Sequence, residues 1–285
     1  MKGVILAGGY GTRFLPVTKT IPKEMLPLIN KPSIECIIDE FAAAGITETL
    51  IITSRRKRCL DDYFDREVEL ETEFIRSGKS ELLAKIEPAK MDIFFARQQT
   101  MNGTGHALLL SRPFVGNEPF IVAYPDDLHF AQGDQLPLAA QLSQKWQETG
   151  KTVLAGLDNP PNLERYGVLK LAADGVHVQD IVEKPAPGTA PSHIASIGRY
   201  LYTPDIFEYL EEGWRGHLES ATPSAEYYHV YALNKLMQKN RVVYHTVEGL
   251  RLDTGAPAGY LRAILEYAAG QPELVQVIRD FAGQL

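Results

Sequence analysis

A glycine-rich turn near the start of the chain carries the first chemical signal. It runs Ala7-Gly-Gly-Tyr-Gly-Thr-Arg13, directly after an apolar run at Gly3–Ala7 that predicts a buried strand. Three glycines in four positions let backbone N–H groups approach a ligand closely and form an anion-binding nest. Lys19 and Lys23 follow, and such cations beside a nest indicate a polyphosphate site. A solvated glycine turn is the alternative interpretation.

Two other phosphate-binding motifs are excluded by their spacing. A dinucleotide fingerprint needs glycine where Phe14 stands, and it opens a helix that Pro16 and Pro22 forbid. Gly78-Lys79-Ser80 ends like a Walker A loop, but Glu73 stands where its first glycine belongs. The turn therefore belongs to another class of phosphate site.

Carboxylates at two distant positions are candidates for holding a metal ion. Asp126 and Asp127 follow a predicted strand at Phe120–Tyr124, and paired acids at a strand's carboxyl end suit Mg²⁺, which prefers oxygen ligands. Asp253 stands in Arg251-Leu-Asp-Thr-Gly255, a pattern that is equally typical of a turn or a helix cap. The sequence alone does not bring these acids together.

The elements that must position these residues alternate through the first half of the chain. Helical patterns near 34–45, 104–112 and 135–149 separate short β-branched runs. The predicted strands are Gly3–Ala7, Thr49–Thr53, Asp92–Ala96, Phe120–Tyr124 and Thr152–Leu157. This alternation predicts right-handed βαβ units and a mostly parallel sheet, with ligands bound at the carboxyl ends of its strands.

The second half changes rhythm. Strand-like runs at Tyr166–Leu171, Val176–Val182 and Ser196–Tyr202 are closely spaced, and Asp174-Gly175 is a hairpin signal, so an antiparallel addition is expected. The remaining predicted elements are a strand near 242–247 and helices near 204–212, 225–238, 257–269 and 272–283. No Pro/Gly/Ser-rich linker divides the chain. We therefore expect one domain over 1–285, with halves at about 1–130 and 131–285.

A highly charged segment at about 55–91 interrupts this pattern between two predicted strands. A charge run of this kind is typical of a solvent-exposed helical insertion. An oligomer contact or a lid is the alternative.

Composition excludes several functional classes. Lys and Arg number 29 against 36 Asp and Glu, a net charge of −7, so generic binding to nucleic acid or to an anionic membrane is not expected. No apolar stretch reaches the roughly 18 residues of a membrane-spanning helix. Two cysteines, Cys36 and Cys59, cannot build a disulfide framework or a four-ligand zinc site. A reducing, cytoplasmic compartment is the expectation.

Several motifs together carry a resemblance to a known family. Gly8-Gly-x-Gly-Thr-Arg13, Pro22-Lys-Glu-Met-Leu-Pro27 and Lys31-Pro32 resemble the signature of sugar-1-phosphate nucleotidyltransferases, most closely the bacterial uridylyltransferases among them. The resemblance continues along nearly the whole chain. It implies a Rossmann-like, GT-A-like mixed sheet flanked by helices. It also implies a cytoplasmic homodimer or homotetramer that uses Mg²⁺ to transfer UMP from UTP to glucose 1-phosphate, releasing pyrophosphate.

The resemblance also assigns roles to individual residues. Those that would bind the nucleotide are Ala7, Gly8 and Gly9 at base and ribose, Gly11 and Thr12 at the triphosphate, and Gln98 and Gly103 at the uracil. Those that would bind the sugar are Gly167, Glu183, Lys184 and Ser196. The catalytic cations would be Arg13, Lys23 and Lys184, and the Mg²⁺ ligands Asp126 and Asp253. The amide of Gln98 can both donate to and accept from a pyrimidine edge.

The sequence also departs from the family pattern and leaves alternatives open. Tyr228 and Tyr231 replace a glutamine and an aspartate beside the retained Glu226, which bears on sugar selectivity more than on the chemistry. A thymidylyl- or dual-specificity enzyme is one alternative, since uracil and thymine differ by one methyl group. A catalytically silent sugar-nucleotide sensor is another. A GT-A-like glycosyltransferase would need an Asp-x-Asp motif, which is not evident.

Overall fold

A computed structural model of the chain describes residues 1–220 and 226–284. The strands are β1 (Lys2–Leu6), β2 (Pro27–Leu28), β3 (Lys31–Pro32), β4 (Glu48–Thr53), β5 (Asp92–Arg97), β6 (Phe120–Ala123), β7 (Asp127–Phe130), β8 (Thr152–Asp158), β9 (Gly167–Leu171), β10 (Val178–Glu183), β11 (Ile194–Tyr202), β12 (Val242–Thr246) and β13 (Leu250–Asp253). The helices are α1 (Ser33–Ala43), α2 (Arg58–Phe64), α3 (Val68–Arg76), α4 (Ser80–Ala84), α5 (Gly103–Val115), α6 (Leu138–Thr149), α7 (Ile206–Leu218), α8 (Val230–Gln238), α9 (Pro257–Ala269) and α10 (Pro272–Ala282).

The centre of the main sheet is parallel, as the alternation of strands and helices predicts. β1 lies between β4 and β6, with Ile5 opposite both Ile51 and Ala123, and β5 extends the sheet beside β4. The strands need crossovers because they are parallel, and helices supply them. The carboxyl ends of β1 and β6 therefore lie side by side, and the glycine turn and Asp126 follow them.

The antiparallel addition is also confirmed. β9 and β10 form the hairpin around Asp174-Gly175, and β11 runs antiparallel to β9, β6 and β8. The mixed sheet has nine strands, in which β12 pairs with the edge of β8 in parallel. The long strand β11 thus joins the strands that carry the predicted sugar residues to the parallel centre.

Helices cover both faces of the sheet because the central strands are apolar on both sides. Val4 and Leu6 pack into one buried cluster with residues of α5, α7 and α8, whereas Ile5 and Ala7 pack into the other with residues of α1 and α6. Successive side chains of a strand point to opposite faces, so one apolar run contributes side chains to both hydrophobic clusters.

One predicted helix begins later than its pattern suggests. The pattern covered 225–238, but α8 starts at Val230; residue 225 lies outside the described residues. The Tyr227 N–H donates to the Asn102 carbonyl at 2.8 Å, and its own carbonyl accepts from the Gly105 N–H at 2.9 Å. These bonds to Asn102 and to the first turn of α5 replace the helical bonds that Tyr227 would otherwise make.

The charged segment is helical and mostly exposed, although Lys57 and Leu60 near its start are buried. It contains α2, α3 and α4, and neither α3 nor α4 has a buried residue. Its part in an oligomer contact or a lid stays a prediction. Among the helices of the described residues, none combines the length and apolarity needed to span a membrane.

Candidate active site

A short two-stranded ribbon brings the distant carboxylates together. β7 and β13 are antiparallel with Asp127 opposite Asp253, and the Thr254 N–H donates to the Asp126 carbonyl at 2.8 Å. Asp126 Oδ2 and Asp253 Oδ1 each lie 3.1 Å from the point where a Cβ on Gly255 would stand. The two carboxylates therefore face one small space that a side chain at position 255 would fill.

The donor set at this space fits Mg²⁺. Carboxylate oxygens are the ligands that this hard cation prefers, and it commonly keeps only one or two protein carboxylates beside waters and substrate phosphates. Within residues 1–220 and 226–284, no group of three or more His, Cys, Asp or Glu side chains is arranged to hold a metal. Asp126 and Asp253 would thus supply only part of the coordination.

Two cations flank the carboxylates. Lys23 Nζ lies 2.6 Å from Asp126 Oδ2, and Arg13 Nη1 donates to the Gly255 carbonyl at 3.1 Å. The side chains of Lys23 and Asp126 are 20% and 27% exposed to solvent, so a ligand can reach both. The cluster therefore combines positive and negative groups at one point, as a bound metal–triphosphate would require.

A buried ion pair that the sequence did not reveal anchors Glu24, the residue next to Lys23. The neighbouring carboxylate of Glu24 accepts two hydrogen bonds from Lys57 Nζ, at 2.7 and 2.8 Å, and the side chains are 0% and 5% exposed. Burial lowers the pKa of Lys57, and Glu24 opposes that effect. Lys57 sits in an Arg-Arg-Lys-Arg run, which indicated a solvated segment.

Lys57→Met is expected to lower the free energy of unfolding by about 3 kcal/mol, because it leaves the Glu24 carboxylate buried without its partner. The double variant Glu24→Leu/Lys57→Met, which removes both charges, should recover most of that loss. Urea unfolding of both variants measures the difference. Equal destabilisation by the single and double variants would contradict a role for the charge itself.

The predicted base-reading residues line one cleft together with Lys23 and Asp126. It has an empty volume of about 600 Å³. Its lining residues include Leu6, Gly8, Gly9, Lys23, Gln98, Met101, Gly103, Thr104, Ala107, Tyr124, Asp126 and Glu226. Gln98 is 3% exposed, and its Nε2 donates to the Gly103 carbonyl at 3.0 Å.

The remaining predicted nucleotide residues belong to the same turn. The Ala7 N–H donates to the Ile52 carbonyl at 2.9 Å, which extends the pairing of β1 and β4 into the start of the turn. Gly11 has φ +67° and begins a short helical turn at Thr12–Phe14, and its carbonyl accepts from Thr18 Oγ1 at 2.7 Å. These hydrogen bonds attach both ends of the turn to the rest of the protein.

Gly103 cannot be replaced without moving the backbone. Its φ is +87°, and a Cβ there would stand 2.5 Å from the Tyr227 carbonyl oxygen. Both the conformation and the space favour glycine. The close approach of the two backbone segments forms the wall of the cleft beside Gln98.

The predicted sugar residues gather on β9, β10 and β11. Gly167 pairs with Glu183 on one side and with Ser196 on the other. Lys184 follows with φ +45°, and its Nζ lies 4.0 Å from Glu183 Oε1. Both side chains are about 70% exposed, at 69% and 70%. In the described part of the chain no hydrogen bond or ion pair joins Lys184 to the cluster at Asp126.

A further ion pair that sequence reasoning missed connects the two sides of the site. Arg251 donates to both carboxylate oxygens of Asp127, at 2.8 and 3.0 Å, and Asp127 also accepts from the Gly198 N–H at 2.8 Å. The Arg251 guanidinium lies 5.5 Å from the ring centre of Tyr166, next to Gly167. Asp127 is thus occupied by protein partners, which leaves Asp126 as the acid facing the cleft.

The two tyrosines that depart from the family pattern lie apart from this cleft. Tyr228 is 54% exposed, and Tyr231 Oη donates to Glu212 at 2.7 Å. Both line a separate surface groove beside α7. Of the described residues 226–233, only Glu226 is among those that line the cleft.

Comparisons with known proteins identify a matching family and full-length relatives. A family model described as Nucleotidyl transferase matches residues 2–270. A UTP–glucose-1-phosphate uridylyltransferase of Staphylococcus epidermidis is 39% identical over 290 residues, which is 100% of this chain and 98% of the relative. The enzyme of the same description from Bacillus subtilis is 40% identical over 280 residues, 96% and 92% of the two chains.

Solved structures show the same architecture. A UTP-bound UGPase from Acinetobacter baumannii has a TM-score of 0.87 at 30% identity, over 100% of this chain and 99% of the other. A UDP-glucose pyrophosphorylase complexed with UDP-glucose has a TM-score of 0.78 at 35% identity, over 95% and 99%. With the matching family model and these full-length relatives, the chain belongs to the nucleotidyl transferase family of enzymes.

Proposed function

We propose that this protein transfers UMP from UTP to glucose 1-phosphate in a Mg²⁺-dependent reaction that yields UDP-glucose and pyrophosphate. The observation that carries the proposal is the convergence of Arg13, Lys23, Asp126 and Asp253 at one end of a cleft that also holds Gln98 and Gly103. Relatives described as uridylyltransferases and a UTP-bound relative support the choice of nucleotide and sugar.

The reaction needs positioning and charge neutralisation more than a reactive side chain. A phosphate oxygen of glucose 1-phosphate attacks the α-phosphorus of UTP, and the bond from that phosphorus to the departing pyrophosphate breaks. Arg13 and Lys23 lie where they can pair with the triphosphate and stabilise the charge that moves onto pyrophosphate. Asp126 and Asp253 would hold Mg²⁺, which when bound neutralises phosphate charge.

The sugar phosphate is assigned to Lys184. Its exposure of 69% leaves the ammonium group accessible to a phosphate, which would compete with Glu183 at 4.0 Å, while Glu183 would accept from sugar hydroxyls. Gly167 and Ser196 on the adjoining strands complete the proposed sugar side. This assignment separates sugar-phosphate binding from the metal and triphosphate cluster.

Lys184→Ala is expected to raise the KM for glucose 1-phosphate by about 10- to 100-fold and to leave the KM for UTP within about twofold, because one charged contact to a phosphate is lost. Steady-state kinetics with each substrate varied in turn measure this. Lys170→Ala is the matched control, since Lys170 is an exposed lysine on the neighbouring strand β9. Equal rises in both KM values would argue against a sugar-side role.

Pyrophosphate release with Mg²⁺ tests the substrate pair. UTP and dTTP are each combined with the 1-phosphates of glucose, galactose and N-acetylglucosamine. UTP with glucose 1-phosphate should give the dominant rate. Since one methyl group discriminates by only about 10- to 200-fold, slow activity with dTTP is compatible with the proposal, and equal rates would favour a dual-specificity enzyme. If no substrate pair releases pyrophosphate and the protein still binds UDP-glucose, the result would favour a sensor.

Assembly as a homodimer or homotetramer, and a cytoplasmic location, are also proposed from the resemblance. Apolar surface is available for assembly, since Val277 and Phe281 on α10 are 62% and 61% exposed.

A further inference from the structure

The hydrogen bonds of Gln98 fix which of its amide atoms meets a nucleotide. The Gly103 carbonyl can only accept, so the Gln98 atom 3.0 Å from it must be the NH₂ group. The same Nε2 lies 3.0 Å from Nδ1 of His106. Both N–H bonds of the amide are therefore directed at acceptors of the protein, and neither is left for a base.

The opposite atom of the amide faces the cleft. Gln98 Oε1 would stand 3.3 Å from a Cβ on Gly8, and both residues line the cleft. An amide oxygen at this position accepts from the N3–H of uracil. Cytosine has an unprotonated N3, so its lone pair would oppose that of Oε1. The sequence suggested that Gln98 both donates to and accepts from the base. In this geometry its oxygen can accept, and its NH₂ group is already used by the protein.

We infer that His106 is a specificity-determining positioning residue, which holds the Gln98 amide in the orientation that favours uracil over cytosine. The inference rests on the proposed use of UTP. Turning the amide over would place its oxygen against the Gly103 carbonyl and, in the tautomer with the proton on Nε2, against the lone pair of His106 Nδ1. Removing the histidine acceptor removes one of these two unfavourable contacts.

The surroundings of His106 keep it in the accepting form. Partial burial lowers its pKa, so the ring is neutral at pH 7 and Nδ1 can lack a proton. The ring packs on Trp214 with 4.8 Å between ring centres, which restricts its rotation. His106 lies in α5, three residues after Gly103, so one helix start carries both acceptors.

Two variants of similar shape test the inference. In His106→Asn, the side-chain oxygen stands close to the position of Nδ1 and can still accept from Gln98. In His106→Leu, that acceptor is gone, while both variants lose the ring that packs against Trp214. We expect His106→Leu to reduce the preference for UTP over CTP by about tenfold, a typical effect of one hydrogen bond, and His106→Asn to stay within about twofold of the wild type.

Calorimetric titration of the full-length protein with UTP and with CTP, in Mg²⁺, gives the preference as a ratio of Kd values. A wild-type protein that binds the two equally would contradict the proposed function, and this inference with it. If the wild type prefers UTP and His106→Leu retains that preference in full, the inference is wrong while the proposed function stands. The same holds if both variants lose the preference to the same extent.

A second measurement needs no substitution. Long-range ¹H–¹⁵N correlation spectra of the wild-type protein report which ring nitrogen of each neutral histidine carries the proton. The inference requires a proton on Nε2 of His106 and none on Nδ1. A proton on Nδ1 would overturn it whether or not the variants fold.

Discussion

Asp126→Asn is expected to lower kcat for UDP-glucose formation by about 100- to 1000-fold, because it removes a charged oxygen that faces the proposed metal position. The amide keeps the shape of the carboxylate, so the cleft and the fold should be preserved. Its one remaining oxygen is uncharged and holds Mg²⁺ poorly. The residual rate should therefore also need a higher Mg²⁺ concentration to saturate.

Steady-state rates over a range of Mg²⁺ concentrations measure both effects. Asp134→Asn, an exposed aspartate of the loop before α6, is the matched control and should behave as the wild type. Turnover by Asp126→Asn at the wild-type rate, with the wild-type dependence on Mg²⁺, would remove Asp126 from the metal site.

Lys23→Ala is expected to have an effect of similar size on kcat, about 100-fold or more, together with a higher KM for UTP. The side chain supplies a positive charge 2.6 Å from Asp126, where the triphosphate would meet the metal. Its loss removes the ion-pair partner of the Asp126 carboxylate. The need for Mg²⁺ should consequently not increase, in contrast with Asp126→Asn.

Comparison of the two variants separates phosphate contact from metal binding. Lys79→Ala removes an exposed lysine of the charged segment and controls for the change in net charge. If Lys23→Ala raised the Mg²⁺ concentration needed for half-maximal rate as Asp126→Asn should, Lys23 would act through the metal position rather than on UTP.

The parallel core and the antiparallel addition could be predicted because their signals are local. Gly3–Ala7 and Thr49–Thr53 are β-branched runs long enough to be strands buried on both faces, and Asp174-Gly175 marks its hairpin within a few residues. Each signal depends on neighbouring residues alone. The predicted bounds of these strands accordingly agree with the structure to within a few residues.

The features that the sequence did not reveal depend on contacts between distant segments. β7 and β13 are four residues long each, and only their pairing brings Asp126 beside Asp253. Lys57 looked solvated among arginines, yet Glu24 holds it in the interior. No local pattern encodes such partners, because they are fixed by the packing of the whole chain.

The role of Gln98 shows the same limit within the site. Its place near a base followed from the family resemblance, but the direction of its amide depends on Gly103 and His106, which are positioned by α5. A residue type defines which hydrogen bonds are possible, and the surrounding structure decides which are made.

A single ³¹P NMR experiment on the wild-type protein tests the proposed reaction. UTP, glucose 1-phosphate and Mg²⁺ are mixed with the protein, and the phosphorus signals are followed over time. The proposal predicts that UTP and glucose 1-phosphate disappear together while UDP-glucose and pyrophosphate appear in equal amounts, and that added pyrophosphate reverses the reaction. Stable substrate signals, or hydrolysis of UTP without a sugar nucleotide, would contradict it.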